Sequence, residues 1–244
     1  MNGNNIIDDA KKDAKEIILL QLLNFIKLGT ILEHCKSLLG DVSSCQITAH
    51  VEGNPDGSYD LVVDENKLPL FKKQIFNELL IVAGISTFEK CCKDLFAWGL
   101  NYSPSRLNAL GNRNITVLDI MKSKDVKQTI IEKIVANINF QNPEICNNNF
   151  EKVFGVKVFE NKEEKDKFGK YLNHRHIISH NCGYVDIAFT KKMGLTEEYV
   201  GIVASLDDEE LENFLNSLYK ITMKIAINVP LVIYRDLEKD VKKE

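Results

Sequence analysis

Apolar positions recur at helical spacing over most of this chain. Between residues 6 and 39, Ile18, Leu22, Phe25, Leu28, Leu32 and Leu39 fall on one stripe with Lys and Glu between them. This predicts a long helix that stops at Gly40. The period then drops to two. Ile47, Ala49 and Val51 alternate with Thr48, His50 and Glu52; Tyr59, Leu61 and Val63 alternate with Asp60, Val62 and Asp64. Between the two runs, Asn54-Pro55-Asp56-Gly57 carries Pro and Gly where a type I turn wants them. The stretch reads as one β-hairpin, with His50 on its solvent face.

Helical spacing then returns. Pro69 opens a helix expected to reach about Leu100, with Phe71, Ile75, Leu79, Val82, Phe88, Cys91, Cys92 and Phe96 on a broad apolar face. At about 1.5 Å per residue such a helix is a rod of roughly 45 Å. Shorter helices are expected over 105–110, 115–123, 125–138 and 148–154. A longer one runs from Lys162 to about His180, where Gly183 is placed to cap it in a left-handed turn. The last helix starts at Asp207, with Glu210 three residues on as in a capping box. Leu211, Phe214, Leu215, Leu218, Thr222, Ile225 and Val229 hold one face, and Pro230 is the expected stop. The chain is therefore expected to be mainly α. An N-terminal helix and hairpin (1–66) precede a helical body (67–230) and a charged, solvated tail (231–244).

Composition narrows the class of function. Apolar residues make up 44% and charged residues 27%, as in ordinary globular proteins. A net charge of −4 gives no global positive field, so any contact with nucleic acid must rest on a local patch. The six cysteines form no CxxC pair, which predicts reduced thiols in a cytoplasm. The polar N-terminus, with early acidic residues, is not expected to be a signal peptide. No stretch is expected to offer the roughly 18–20 apolar residues that span a bilayer, so no membrane partner is expected.

The candidate chemistry is concentrated in residues 171–186. Three of the five histidines (His174, His176, His180) and one of the four arginines (Arg175) lie there. Three readings are open. His176 and His180 are four apart and share a helix face, so they could be metal ligands with Cys182 as a third. However, the Glu of a His-Glu-x-x-His site is missing, Arg175 would repel a dication, and no other pair completes a ligand set. Neither metal nor cofactor is expected. The second reading is an ordinary helix end, where histidine complements the dipole, although three histidines exceed that need. The third is phosphate chemistry: a guanidinium fork for phosphate oxygens and imidazoles that exchange protons near neutral pH. RNA carries its own nucleophile in the 2′-hydroxyl, so such chemistry needs no metal. One difficulty is angular. Arg175 and His180 are five apart, about 140° around an ideal helix. Convergence needs a loosened last turn or a second copy of the helix.

The run from Arg175 to His180, with His176 after the Arg, followed by His180, Asn181, Gly183, Val185 and Asp186 in an HN-x-G-x-V-D pattern, resembles the signature of the HEPN superfamily. That signature is Arg, four to six residues, then His, near the end of a bundle helix. Residues 79–96, with the Phe88-Glu89 pair, are similar to the family's early core helix. Residues 194–222 are similar to the segment leading into its last helix. The likeness covers roughly residues 70–228. It implies an up-and-down helical bundle and a homodimer whose motif helices face each other across a composite cleft. It also implies metal-independent endonucleolytic cutting of RNA, in toxin–antitoxin or anti-phage defence. By position, Arg175 would hold the scissile phosphate, His180 would be the principal acid/base group, and His176 would assist. Asn181 and Asp186 are expected to fix the chain as it leaves the helix. Glu89 is expected to be a solvent or helix-pairing residue. A non-catalytic HEPN module that binds RNA, an antitoxin or another defence partner is the competing expectation. The first 66 residues, outside the likeness, could pack on the bundle, extend the dimer or dock an antitoxin.

Overall fold

A computed structural model describes residues 3–39, 49–53, 59–63, 68–111, 120–121 and 123–242. The chain is mainly helical, consistent with an α-helical bundle. Among the described residues the helices are α1 (Gly3–Leu39), α2 (Leu68–Tyr102), α3 (Val126–Ala136), α4 (Pro143–Phe154), α5 (Lys162–Asn181), α6 (Ile187–Met193) and α7 (Asp208–Val241), and residues 120–121 are helical as well. A 3-10 turn covers Pro104–Leu110 and a shorter one Glu197–Tyr199. Two strands, β1 (Ala49–Gly53) and β2 (Tyr59–Val63), pair antiparallel with Ala49 opposite Val63 and Gly53 opposite Tyr59. The expected turn at 54–57, and most of the helix expected over 115–123, lie outside the described residues, as does the His50 side chain.

Local sequence explains most helix ends. Asp125 caps α3 by accepting from the Gln128 N–H at 3.0 Å. Asn142 caps α4 by accepting from the Ile145 N–H at 3.0 Å, with Pro143 in the first turn, so α4 begins before the expected residue 148. At α7 the box is reciprocal: the Glu210 N–H donates to Asp207 Oδ1 at 2.8 Å, and the Asp207 N–H to Glu210 Oε2 at 3.2 Å.

Pro230 does not end α7, which continues to Val241. Proline removes one helical donor and crowds the preceding turn, at a cost of about 3 kcal/mol against alanine. Tertiary contacts beyond it offset this. Ile233 is fully buried, Tyr234 meets the edge of Trp98 at 6.1 Å between centroids, and Asp236 pairs with Arg106 at 2.6 Å. The expected solvated tail is therefore largely helix.

The chain forms two compact units. The first holds residues 1–25, 85–169 and 217–244; the second holds 26–84 and 170–216. The core of the first is aromatic. Phe96 lies 5.6, 5.2 and 5.0 Å from Phe140, Phe150 and Phe154, and Phe88 packs on Phe168 at 4.8 Å. Gly99 is required there, because a Cβ would sit 2.5 Å from the Phe154 ring. In the second unit the Tyr171 ring packs against Phe214 at 4.7 Å between centroids, tilted by 58°, and the buried Asn77 donates to the Leu206 carbonyl at 3.2 Å. On α2 the buried positions there include Asn77, Leu80, Ile81 and Gly84. Ile75 and Leu79, expected on the apolar face, are exposed.

Candidate functional site

Helix α5 carries the histidine cluster. Its first turn has Glu163 and Glu164, and Asn161 accepts from the Glu164 N–H at 2.8 Å. His180 lies in its last turn. Acid at the start and imidazole at the end both match the helix dipole. The helix stays regular through Asn181. Cys182 (φ 52°) and Gly183 (φ 81°) then both turn left-handed. The Gly183 N–H reaches back to the Ile177 carbonyl at 3.0 Å, and the Tyr184 N–H to the Asn181 carbonyl at 2.9 Å. Gly183 caps the helix as expected. The added feature is Cys182, a side-chain-bearing residue in a conformation that favours glycine.

The chain leaving α5 is tied down at several points. Val185 exchanges backbone hydrogen bonds with 201–202, donating to Ile202 at 2.8 Å and accepting from Gly201 at 2.9 Å. Ala204 donates to Gly183 at 2.9 Å. Asp186 caps α6, its Oδ1 accepting from the Phe189 N–H at 2.7 Å, while Asn181 Nδ2 donates to its Oδ2 at 2.7 Å. The Phe189 N–H first, and the Asn181 amide with it, hold the Asp186 carboxyl below the usual carboxylate range. Asn181 and Asp186 thus fix the exit from the helix, Asp186 through the expected backbone bond and Asn181 through Asp186. Underneath, Ile177, Val185 and Phe189 form a small apolar cluster with Met193 and Ala204 against it.

These supports sort the cluster. His174 is buried and meets the edge of Phe189 at 5.3 Å. Burial pulls its pKa down to about 4, so it is neutral near pH 7. His176 and His180 are exposed, with ring centroids 4.6 Å apart and planes at 46°. Arg175 is half-buried. The regular helix brings the two exposed imidazoles together. It leaves Arg175 about 140° around from His180, because the last turn is not loosened. Among the described residues no group of three or more His, Cys, Asp or Glu side chains is placed to hold a metal ion.

One residue beside this site was not legible in the sequence. Glu78 of α2 accepts from Gln74 Nε2 at 3.0 Å and lies against Gly183, where a Cβ would be 3.0 Å from its Oε1. Burial raises its carboxyl above the usual range, and the Gln74 bond works in the opposite direction. Gln74 and Glu78 are four apart on a helix, a spacing that solvated pairs share, so only the contact with a distant glycine marks them. Glu89, the acid named by the family likeness, is held by Lys93 of the same helix at 2.7 Å and accepts from Gln141 Nε2, in the turn before α4, at 2.6 Å, so it ties α2 to a turn and not to another helix.

No family model, no curated protein and no solved structure matches the chain.

Proposed function

We propose that the chain is a metal-independent RNA endonuclease of the HEPN type, acting as a homodimer in toxin–antitoxin or anti-phage defence. The observation that carries the reading is the exposed pair His176 and His180, with rings 4.6 Å apart on an end of α5 whose exit is fastened by Asn181 and Asp186. Two imidazoles side by side suit a reaction that needs one proton removed and another delivered. His180 takes the 2′-hydroxyl proton, the 2′-oxygen attacks phosphorus, and the bond to the 5′-oxygen breaks as that oxygen gains a proton. The products are a 2′,3′-cyclic phosphate and a 5′-hydroxyl. Arg175 stabilises the charge that grows on the phosphate oxygens, and His176 supports the proton transfer. The regular end of α5 favours a composite site, with Arg175 of one copy serving His180 of the other.

The net charge of −4 favours a second reading, a HEPN module that binds RNA or a partner without cutting. Induced expression separates the two. Wild type is expected to arrest growth with broken cellular RNA, and His180→Ala to do neither. Arrest with intact RNA from both proteins would favour the binding module.

A further inference from the structure

A cleft of about 450 Å³ lies wholly within the first compact unit, between the exit of α4 and one face of α7. Small-molecule sites hold roughly 300–1,000 Å³. On α7 the cleft is lined by Lys224, Leu231, Val232 and Arg235, which stand at i, i+7, i+8 and i+11 and so share a helix face.

The opposite wall is fixed by the fold. Gly155 ends α4 in a left-handed turn (φ 67°). Asn147 Oδ1 then accepts from the Val158 and Phe159 N–H groups, at 3.0 and 3.2 Å. Glu160 closes this pinned segment and pairs with Lys224 of α7 at 2.8 Å, and the Lys224 side chain is only 22% exposed. Val156 lines the same wall and is buried. A preformed cleft spares a ligand the cost of ordering its site.

Charge in the cleft is unbalanced by one. Three cations line it, Lys157, Lys224 and Arg235, against two carboxylates, Glu151 and Glu160. Lys224 is matched by Glu160 and, more loosely at 4.0 Å, Lys157 by Glu151. Arg235 is exposed, and among the described residues no hydrogen bond or ion pair engages its guanidinium. The acid next to it in the chain, Asp236, is taken by Arg106 at 2.6 Å. Beside Arg235 on α7 lie Leu231, 46% exposed, and the half-buried Val232. The cleft thus sets one unanswered guanidinium against an aliphatic wall.

We propose that this cleft binds a small aliphatic monocarboxylate. Arg235 takes the oxyanion through its fork, and the hydrocarbon body rests on Val156, Leu231 and Val232. Charge selects the head group. One excess cation matches a monoanion, whereas Glu151 and Glu160 repel the second charge of a phosphate group. No residue of the cleft belongs to α5, so binding here is separable from the RNA chemistry.

The test is calorimetric titration of the full chain at constant ionic strength with three probes: 4-methylpentanoate, inorganic phosphate, and the amine of the same carbon skeleton. Wild type is expected to bind 4-methylpentanoate with a Kd on the order of 1 mM or tighter, and the other two at least about tenfold more weakly. Arg235→Gln and Leu231→Glu, both at exposed positions, should each weaken carboxylate binding about tenfold or more with unchanged helical circular dichroism. Lys167→Ala, off the cleft, should bind as wild type does. No binding of 4-methylpentanoate by wild type at about 20 mM would overturn the proposal. So would binding undiminished in both cleft variants, or phosphate or the amine bound as tightly as the carboxylate.

Discussion

Three histidines within seven residues of one helix occupy two different environments. His176 and His180 face solvent, while His174 is enclosed against Phe189. Burial lowers the His174 pKa from the ordinary 6.5 to about 4. In the unfolded chain the same imidazole takes up its proton near pH 6.5, so its contribution to stability is complete above that pH and is lost as pH falls towards 4. Between those limits stability should fall by about 3 kcal/mol on account of this one group. Urea denaturation across pH 4–7 is predicted to show that slope in wild type and a flatter one in His174→Leu. Equal slopes would remove the assignment. The sequence showed that the cluster was unusual, and it named His176 and His180. That His174 is enclosed depends on Phe189, which arrives from a helix beyond the glycine turn. No spacing within α5 reports that contact.

At the scale of elements, local chemistry was legible and tertiary compensation was not. The Asp207–Glu210 box, the Asp125 cap and the Gly183 turn lie where their residue types predict, because each is satisfied within a few residues. Asp207→Ala should cost about 1 kcal/mol, seen as a lower midpoint in thermal unfolding, and Asp207→Asn should keep most of it. An unchanged midpoint in Asp207→Ala would mean the cap is idle. Pro230 was misread because its local penalty is real, while the contacts that offset it, through Ile233, Tyr234 and Asp236, come from distant parts of the chain. On α1 the expected stripe does lie on the buried side: Phe25, Leu28 and Leu32 are buried and Ile18 and Leu22 half-buried, while Leu19, Leu23 and Ile26 are exposed. What periodicity did not convey is how apolar the rest of this helix is: Asn5–His34 is long and apolar enough, by length and composition, to cross a membrane, against the expectation that no stretch would be.

For the whole molecule, a chain of net charge −4 has no general attraction for RNA, so the proposed cutting would have to depend on a small fixed constellation. The end of α5 offers one: two adjacent imidazoles, an arginine on the same helix, and an exit held by Asp186 and by backbone bonds to 201–204. The regular helix keeps Arg175 and His180 apart within one copy, which makes a second copy part of the proposed chemistry. The most direct measurement is incubation of purified protein with single-stranded RNA in EDTA, followed by analysis of the fragment ends. Wild type is predicted to release fragments ending in 2′,3′-cyclic phosphate, and folded His180→Ala and Arg175→Ala proteins to release none. Intact RNA with dimeric wild-type protein, or cleavage undiminished in both variants, would contradict the proposed function.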